Sequence, residues 1–162
     1  MNFEWASLTD KDMEIIDTWK SEDIRNNITI DDTFTISELF DLFGKKDRSN
    51  TVKAMDESGN IVGIVLYDNG IYDYSIPAFM NIQFLIVDPS KVNNGIGTKM
   101  LQDIIEGNKG KVDIFQVYSE QDNYACMRML DKLGFKTNKK RDRHSNYKLY
   151  ELDLRVQEKK RK

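Results

Sequence analysis

Two glycines one residue apart, Gly95 and Gly97, stand between a short apolar run and an apolar series at helical spacing. Phe84-Leu85-Ile86-Val87 has the composition of a buried strand. Asp88-Pro89 ends it, because proline has no N–H to give to a ladder. Met100, Leu101, Ile104 and Ile105 then recur as one face of a helix. A strand, a polar loop and a glycine-rich helix start make an anion site. The first helical N–H groups have no intrahelical acceptor, and glycine lets a ligand approach the backbone. The chemistry expected of this stretch is retention of a pyrophosphate. A nucleotide P-loop is disfavoured, since Gly95-Ile96-Gly97 lacks the Gly-Lys-Ser/Thr pattern.

Other reactive side chains carry less. Cys126 falls among Met and Leu on a helical pattern, with no His or Lys beside it to lower its pKa, and reads as core. His144, the one histidine, sits in a polar basic loop, and no His/Cys/carboxylate cluster suggests a metal site. Lys139–Arg143 is basic but has no interleaved aromatic residues for stacking bases, so no nucleic-acid partner is expected.

These residues need a scaffold, and 162 residues with 40 % apolar side chains suffice for one domain. The expected extent is 1–155, with 156–162 a basic, frayed tail. With a single cysteine there is no intramolecular disulfide. Nothing resembles a signal peptide or a bilayer span, so a cytoplasmic protein without a membrane partner is expected. Charge is uneven: residues 1–60 hold 14 acidic and 7 basic residues, the remainder 13 and 17. A solvated acidic surface explains this bias, and so does a cationic substrate at the N-terminal part with an anionic cofactor at the C-terminal part.

Periodicity places a strand in 2–8, a helix after Thr9 with Asp12 in a capping-box arrangement, and a second helix after Thr35 with Glu38, ended by Gly44. Strands follow at Thr51–Met55 and Ile61–Tyr67, then an Asp68-Asn69-Gly70 hairpin turn, and a long strand at Phe79–Val87. After the glycine-start helix come a strand at Val112–Tyr118, a helix expected to start at Ser119 with Asp122, and a last strand at Tyr147–Leu154. The order implies an α+β (mixed α/β) domain, one sheet covered by helices.

Two stretches resemble the GNAT superfamily of N-acetyltransferases: Val87-Asp88-Pro89 followed by Gly95-Ile96-Gly97 and a helix, and the segment from Asn123 to Gly134-Phe135. The resemblance implies a central, mostly antiparallel twisted sheet flanked by helices, with a V-shaped splay between the central strands. It implies acetyl-CoA, or a related acyl-CoA, as cosubstrate. Leu85, Ile86 and Val87 would meet the pantetheine arm through main-chain groups. Asn93, Asn94, Gly95, Ile96, Gly97 and Thr98 would wrap the pyrophosphate, and Asn123 would stand near the pantetheine. The basic Lys139–Arg143 cluster could meet the 3′-phosphate.

The chain departs from the family twice. Val92 takes the place usual for Arg or Gln, which shifts the grip to backbone amides, with Lys91, Asn93 and Asn94 as neighbours able to compensate in part. Leu130 takes the place of the usual tyrosine acid. Acyl transfer needs a neutral amine, and an alkylammonium with a pKa of roughly 10.4 must lose a proton first. The candidates are Tyr118 as acid or water-holder, Glu120 as carboxylate base and Gln83 as water-orienting group, with a Val87 N–H for the oxyanion. The expected function is transfer of acetyl from acetyl-CoA to a primary amine of a small, cationic molecule, polyamine- or aminoglycoside-like. Asp23, Asp31 and Asp32 would favour such an acceptor. The alternatives are a protein or peptide N-acetyltransferase and a non-catalytic acyl-CoA-binding domain. A homodimer is compatible with the sequence.

Overall fold

The computed structural model describes residues 2–19, 36–42, 44, 49–71, 78–91, 94–120, 123–139 and 147–155. Seven strands form one sheet: β1 (Glu4–Ser7), β2 (Thr51–Met55), β3 (Ile61–Ile71), β4 (Ala78–Val87), β5 (Ile114–Glu120), β6 (Lys136–Thr137) and β7 (Tyr147–Asp153). Their order is β1-β2-β3-β4-β5-β7-β6. Every neighbouring pair is antiparallel except β4 with β5. Parallel neighbours need a crossover, here made by α3 (Ile96–Gly107).

The remaining helices are α1 (Met13–Ile16), α2 (Ile36–Leu42) and α4 (Tyr124–Lys132). The fold is therefore mixed α+β, a mostly antiparallel sheet with helices, as the sequence implied. Each sheet face has its own core. On one, Met100, Leu101, Cys126 and Leu130 of α3 and α4 pack on Val65, Ile82, Leu85, Val87, Phe115 and Val117. On the other, Met13, Ile16, Ile36 and Phe40 of α1 and α2 cover Ile64, Leu66, Phe84 and Ile86.

Local chemistry sets the ends of these elements. Ahead of α1, the Thr9 N–H donates to Asp12 Oδ2 at 2.9 Å and the Asp12 N–H to Thr9 Oγ1 at 3.3 Å, a reciprocal arrangement like the expected capping box. Partial burial raises the pKa of Asp12, but the Lys53 ammonium at 2.8 Å and the Thr9 bonds outweigh it and hold the carboxyl below its usual value. Thr35 lies outside the described residues, while Gly44, at φ +68°, stands in the left-handed region that ends a helix. Helix α4 closes in the same way. Gly134 takes φ +94°, its N–H bonds to Asp131 O at 3.1 Å, and the Phe135 N–H bonds back to Leu130 O at 3.0 Å. That pair of bonds is a Schellman motif.

Two expectations needed correction. Asp68-Asn69-Gly70 is strand, not turn: these residues face Asn81, Met80 and Phe79 across the β3–β4 ladder. The turn chemistry of Asn-Gly is overridden by a partner strand long enough to continue the pairing. Ser119 is a fully buried β5 residue, and α4 begins after Asn123 instead. The two-residue β6 had no sequence signal, being too short for alternation. No helix among the described residues is long and apolar enough to cross a membrane.

Candidate functional site

Strands β4 and β5 pair only from Phe79–Ile114 to Ile82–Val117. Beyond that point each continues against its outer neighbour, β4 on β3 as far as Val87 and β5 on β7 as far as Glu120. The two central strands therefore part at Ile82 and Val117, which is the splay the resemblance implied. A bulge sits at the fork. Leu66 faces Phe84 while Tyr67 faces Ile82, so Gln83 is the extra residue of β4. The bulge shifts the side-chain alternation by one. Met80 and Ile82 face α3, and after Gln83 it is Leu85 and Val87 that do so, while Phe84 and Ile86 turn to α1 and α2.

Backbone direction follows the same alternation. The Asp88 N–H donates to Val62 O at 2.9 Å, on the β3 side. In an antiparallel ladder alternate residues turn their N–H and C=O to the same side. Ile86 thus directs its amide groups to β3, and Leu85 and Val87 direct theirs into the splay.

Helix α3 starts at the end of that gap. Gly95 is its N-cap at φ +76°, a left-handed conformation costing a side-chain-bearing residue about 1–2 kcal/mol. No side chain caps the helix and its first turn holds no acid, so the positive end of the helix faces outward from Ile96, Gly97 and Thr98. Gly97 fixes this start onto the sheet. A Cβ there would lie 3.4 Å from Val87 Cγ2, 3.7 Å from Leu85 Cδ2 and 3.9 Å from Met129 Sδ, so α3, β4 and α4 meet at this glycine. Asn94 is exposed, its Nδ2 donating to Lys91 O at 3.3 Å. Lys91 leans to Asp56, at 3.7 Å. Asn93 and Val92 lie outside the described residues.

The second motif acts as a pair of helix caps. Asn123 is buried and its Oδ1 accepts from the Cys126 N–H at 3.2 Å, satisfying an orphan donor of α4. Leu130, at the position of the family's tyrosine acid, is fully buried in the core. Cys126 is core, as its setting implied: burial pushes its thiol pKa up to about 11, partly offset by a hydrogen bond with Ser119.

Two of the candidate catalytic residues stand at the fork. Gln83 and Tyr118 are the first residues beyond the last β4–β5 pair, one on each lip. Both lie on the face opposite α3 and α4, since Ile82 and Val117 before them pack against those helices. Glu120 is the last residue of β5, in register with Tyr147, and its side chain lies outside the described residues. So do Asp23, Asp31, Asp32, His144 and the basic stretch 140–143.

One residue escaped the sequence reading. Asp68, expected in a turn, belongs to β3 and accepts a 2.7 Å hydrogen bond from Gln83 Nε2 at Oδ2. Only the long-range β3–β4 register reveals it. Among the described residues no group of three or more His, Cys, Asp or Glu could hold a metal ion. A half-open cavity of about 290 Å³, lined by Trp5, Val65, Tyr67, Ile104 and Asn108, lies at the opposite end of α3 and includes no residue of the splay.

Solved structures share this architecture. A GNAT-family acetyltransferase from Bacillus anthracis superposes with a TM-score of 0.71 at 16 % identity, covering 96 % of each chain. PaiA N-acetyltransferase from Thermoplasma acidophilum, in complex with coenzyme A, gives 0.64 at 15 % identity, covering 94 % of this chain and 99 % of that one. The ribosomal-protein-S18-alanine N-acetyltransferase from Escherichia coli gives 0.66 at 14 % identity, covering 94 % of each. At these identities the likeness is one of fold. No curated protein matches the chain in sequence. The model of the acetyltransferase (GNAT) family matches residues 11–135, and the chain belongs to that family.

Proposed function

We propose that this protein transfers an acetyl group from acetyl-CoA to a primary amine of a small, cationic molecule. The observation that carries the reading is the β4–β5 fork at Ile82–Val117, with the uncapped start of α3 at its far end. The pantetheine arm is a chain of amides and fits a gap lined by the main-chain groups of Leu85 and Val87. The pyrophosphate fits the amides from Gly95 to Thr98, where backbone donors and helix dipole meet an anion without a side-chain cation. Asn94 precedes these amides, with Asn93 the further candidate from the sequence, and Asn123, the N-cap of α4, is assigned to the pantetheine end.

In the reaction the amine nitrogen attacks the thioester carbonyl carbon. A C–N bond forms, the C–S bond breaks, the amine loses a proton and CoA leaves as a thiol. The Val87 N–H is the donor assigned to the developing oxyanion. Tyr118, on the β5 lip, is assigned the proton for the departing thiolate, a role Leu130 cannot fill. Gln83 faces the amine from the β4 lip, and Glu120 is the carboxylate assigned to take its proton, directly or through water. Holding donor and acceptor on the two lips of one gap supplies much of the acceleration.

Leu130 also favours a second reading, an acyl-CoA-binding domain without transfer. Release of free CoA from acetyl-CoA, followed with a panel of amines that includes spermidine, an aminoglycoside and an N-terminal peptide, separates the two. Amine-dependent release supports the transferase. Acetyl-CoA binding without release for any acceptor supports the binding domain, and absence of acetyl-CoA binding overturns both.

A further inference from the structure

We propose that the half-open cavity at the C-terminal end of α3 is a binding site for a small arylalkylammonium, separate from the fork. It shares no residue with the splay and is independent of the transferase reading. Its volume is about 290 Å³, roughly twice that of a 150 Å³ apolar cavity that takes up benzene. One aromatic ring with a short chain matches that space.

Apolar side chains make the walls. Val52, Val65 and Met80 come from three adjacent strands, and Ile104 comes from the helix packed on them. Trp5 adds an indole from the edge strand β1, and two contacts fix it. Phe3 meets the ring edge-on with 6.5 Å between centroids, and Trp5 Nε1–H donates to Asp103 Oδ2 at 3.2 Å. An aromatic face held in this way binds a second ring without being ordered anew.

The polar residues of the cavity come from the end of α3. Asp103 is already occupied, since its Oδ1 takes Lys99 Nζ at 2.6 Å and its Oδ2 the Trp5 indole. Asn108 donates from Nδ2 to Ile104 O at 2.7 Å, so Oδ1 is the end left to accept. The Asn108 N–H goes to Ile105 O and the Lys109 N–H to Glu106 O, whereas no donor among the described residues meets Gly107 O. The last turn of α3 carries no basic side chain, and Glu106 in that turn pairs with Lys109 at 2.8 Å. The negative end of the helix therefore opens at the cavity unmasked. Apolar walls with acceptors and a partial negative charge at one end suit an apolar body carrying an ammonium, and disfavour a carboxylate.

The experiment is titration of phenethylamine into the ¹⁵N-labelled full-length protein, followed on the indole N–H resonances. The chain has two tryptophans, and Trp19 lies in the core on the other sheet face, where it serves as internal control. Trp5→Phe identifies the Trp5 signal. Phenethylamine is expected to shift the Trp5 resonance saturably, to leave Trp19 in place, and to bind about tenfold more tightly than 3-phenylpropanoate. Gly107→Leu fills the rim from a position where a Cβ meets no atom within 4 Å and φ is not left-handed. Val52→Phe fills the wall from β2. Each should weaken amine binding about tenfold or more, with an unmoved Trp19 resonance in the free variant showing that the fold is kept. A Trp5 resonance unmoved at about 10 mM amine overturns the site and is the result expected if the amine binds only at the fork. Equal affinity for amine and carboxylate, or wild-type affinity in both variants, overturns it as well.

Discussion

Gln83 and Tyr118 stand on opposite lips of the fork of the sheet, each one residue past the last pair that joins β4 to β5. The bulge at Gln83 creates this relationship. Were Gln83 paired in regular alternation and not bulged, Phe84 and Ile86 would follow Ile82 onto the α3 face, and the apolar side chains of β4 would oppose both cores. With it, one strand serves two cores and bends away from its parallel neighbour.

Replacing Tyr118 by Phe removes one hydroxyl from the β5 lip. The expected outcome is a fall in kcat of about 10²-fold, in the range for loss of a general acid, with CoA affinity unchanged. Steady-state kinetics with an amine that supports CoA release, alongside CoA titration, checks this. An unaltered kcat removes Tyr118 from the mechanism.

Gly95→Val forces a β-branched residue to φ +76° at the start of α3. A left-handed conformation costs such a residue about 1–2 kcal/mol, so the helix start rearranges and CoA binding should weaken about tenfold. Val92→Ala removes neither an amide nor a charge and should change the affinity by less than about twofold. Equal effects in the two titrations would contradict a backbone-based grip.

Gly63 lies across the ladder from Val87, beneath α3. A Cβ at this glycine would stand 2.5 Å from Met100 Sδ, 2.6 Å from Met100 Cε and 2.9 Å from the Ile86 carbonyl oxygen. Met100 can swing, but the backbone oxygen cannot without moving β4. Gly63→Ala is therefore expected to cost about 1–3 kcal/mol by overpacking, read as a lower midpoint in denaturant unfolding. Wild-type stability in this variant would show that α3 stands further from the sheet.

Cys126 links stability to alkaline pH. Its folded pKa is raised from 9.0 to about 11 by burial, so the folded state favours the neutral thiol. That contribution is fully present below pH 9 and is lost as pH rises from about 9 through about 11. Unfolding midpoints at pH 8 and pH 10.5 should show wild type losing more stability than Cys126→Ala over that interval. In the folded protein at pH 7.5 the thiol should resist iodoacetamide until denaturant is added. Parallel pH profiles for the two proteins would contradict the burial argument.

Much of the fold could be read from local pattern, and the reasons are local. Alternation marked β2, the first part of β3, β4 and β7, and the Thr9–Asp12 pair ahead of α1 is sequential. Asn123 and Gly134-Phe135 are the two ends of one helix, where capping chemistry acts within a few residues. The glycine-rich start of α3 is equally self-contained, because its anion-binding character comes from its own unpaired amides.

What tertiary structure alone decided depends on distant pairing. The tail of β3 at Asp68-Asn69-Gly70 is strand because β4 extends opposite it. Ser119 is strand because β7 carries the β5 pairing on past the fork. The bulge at Gln83, the parting of β4 from β5 and the turn of Leu85 and Val87 toward the gap are properties of register between three strands. No window of sequence contains that register. Asp68 meets Gln83 for the same reason: fifteen residues separate the two in the chain, and only the ladder closes that distance to 2.7 Å.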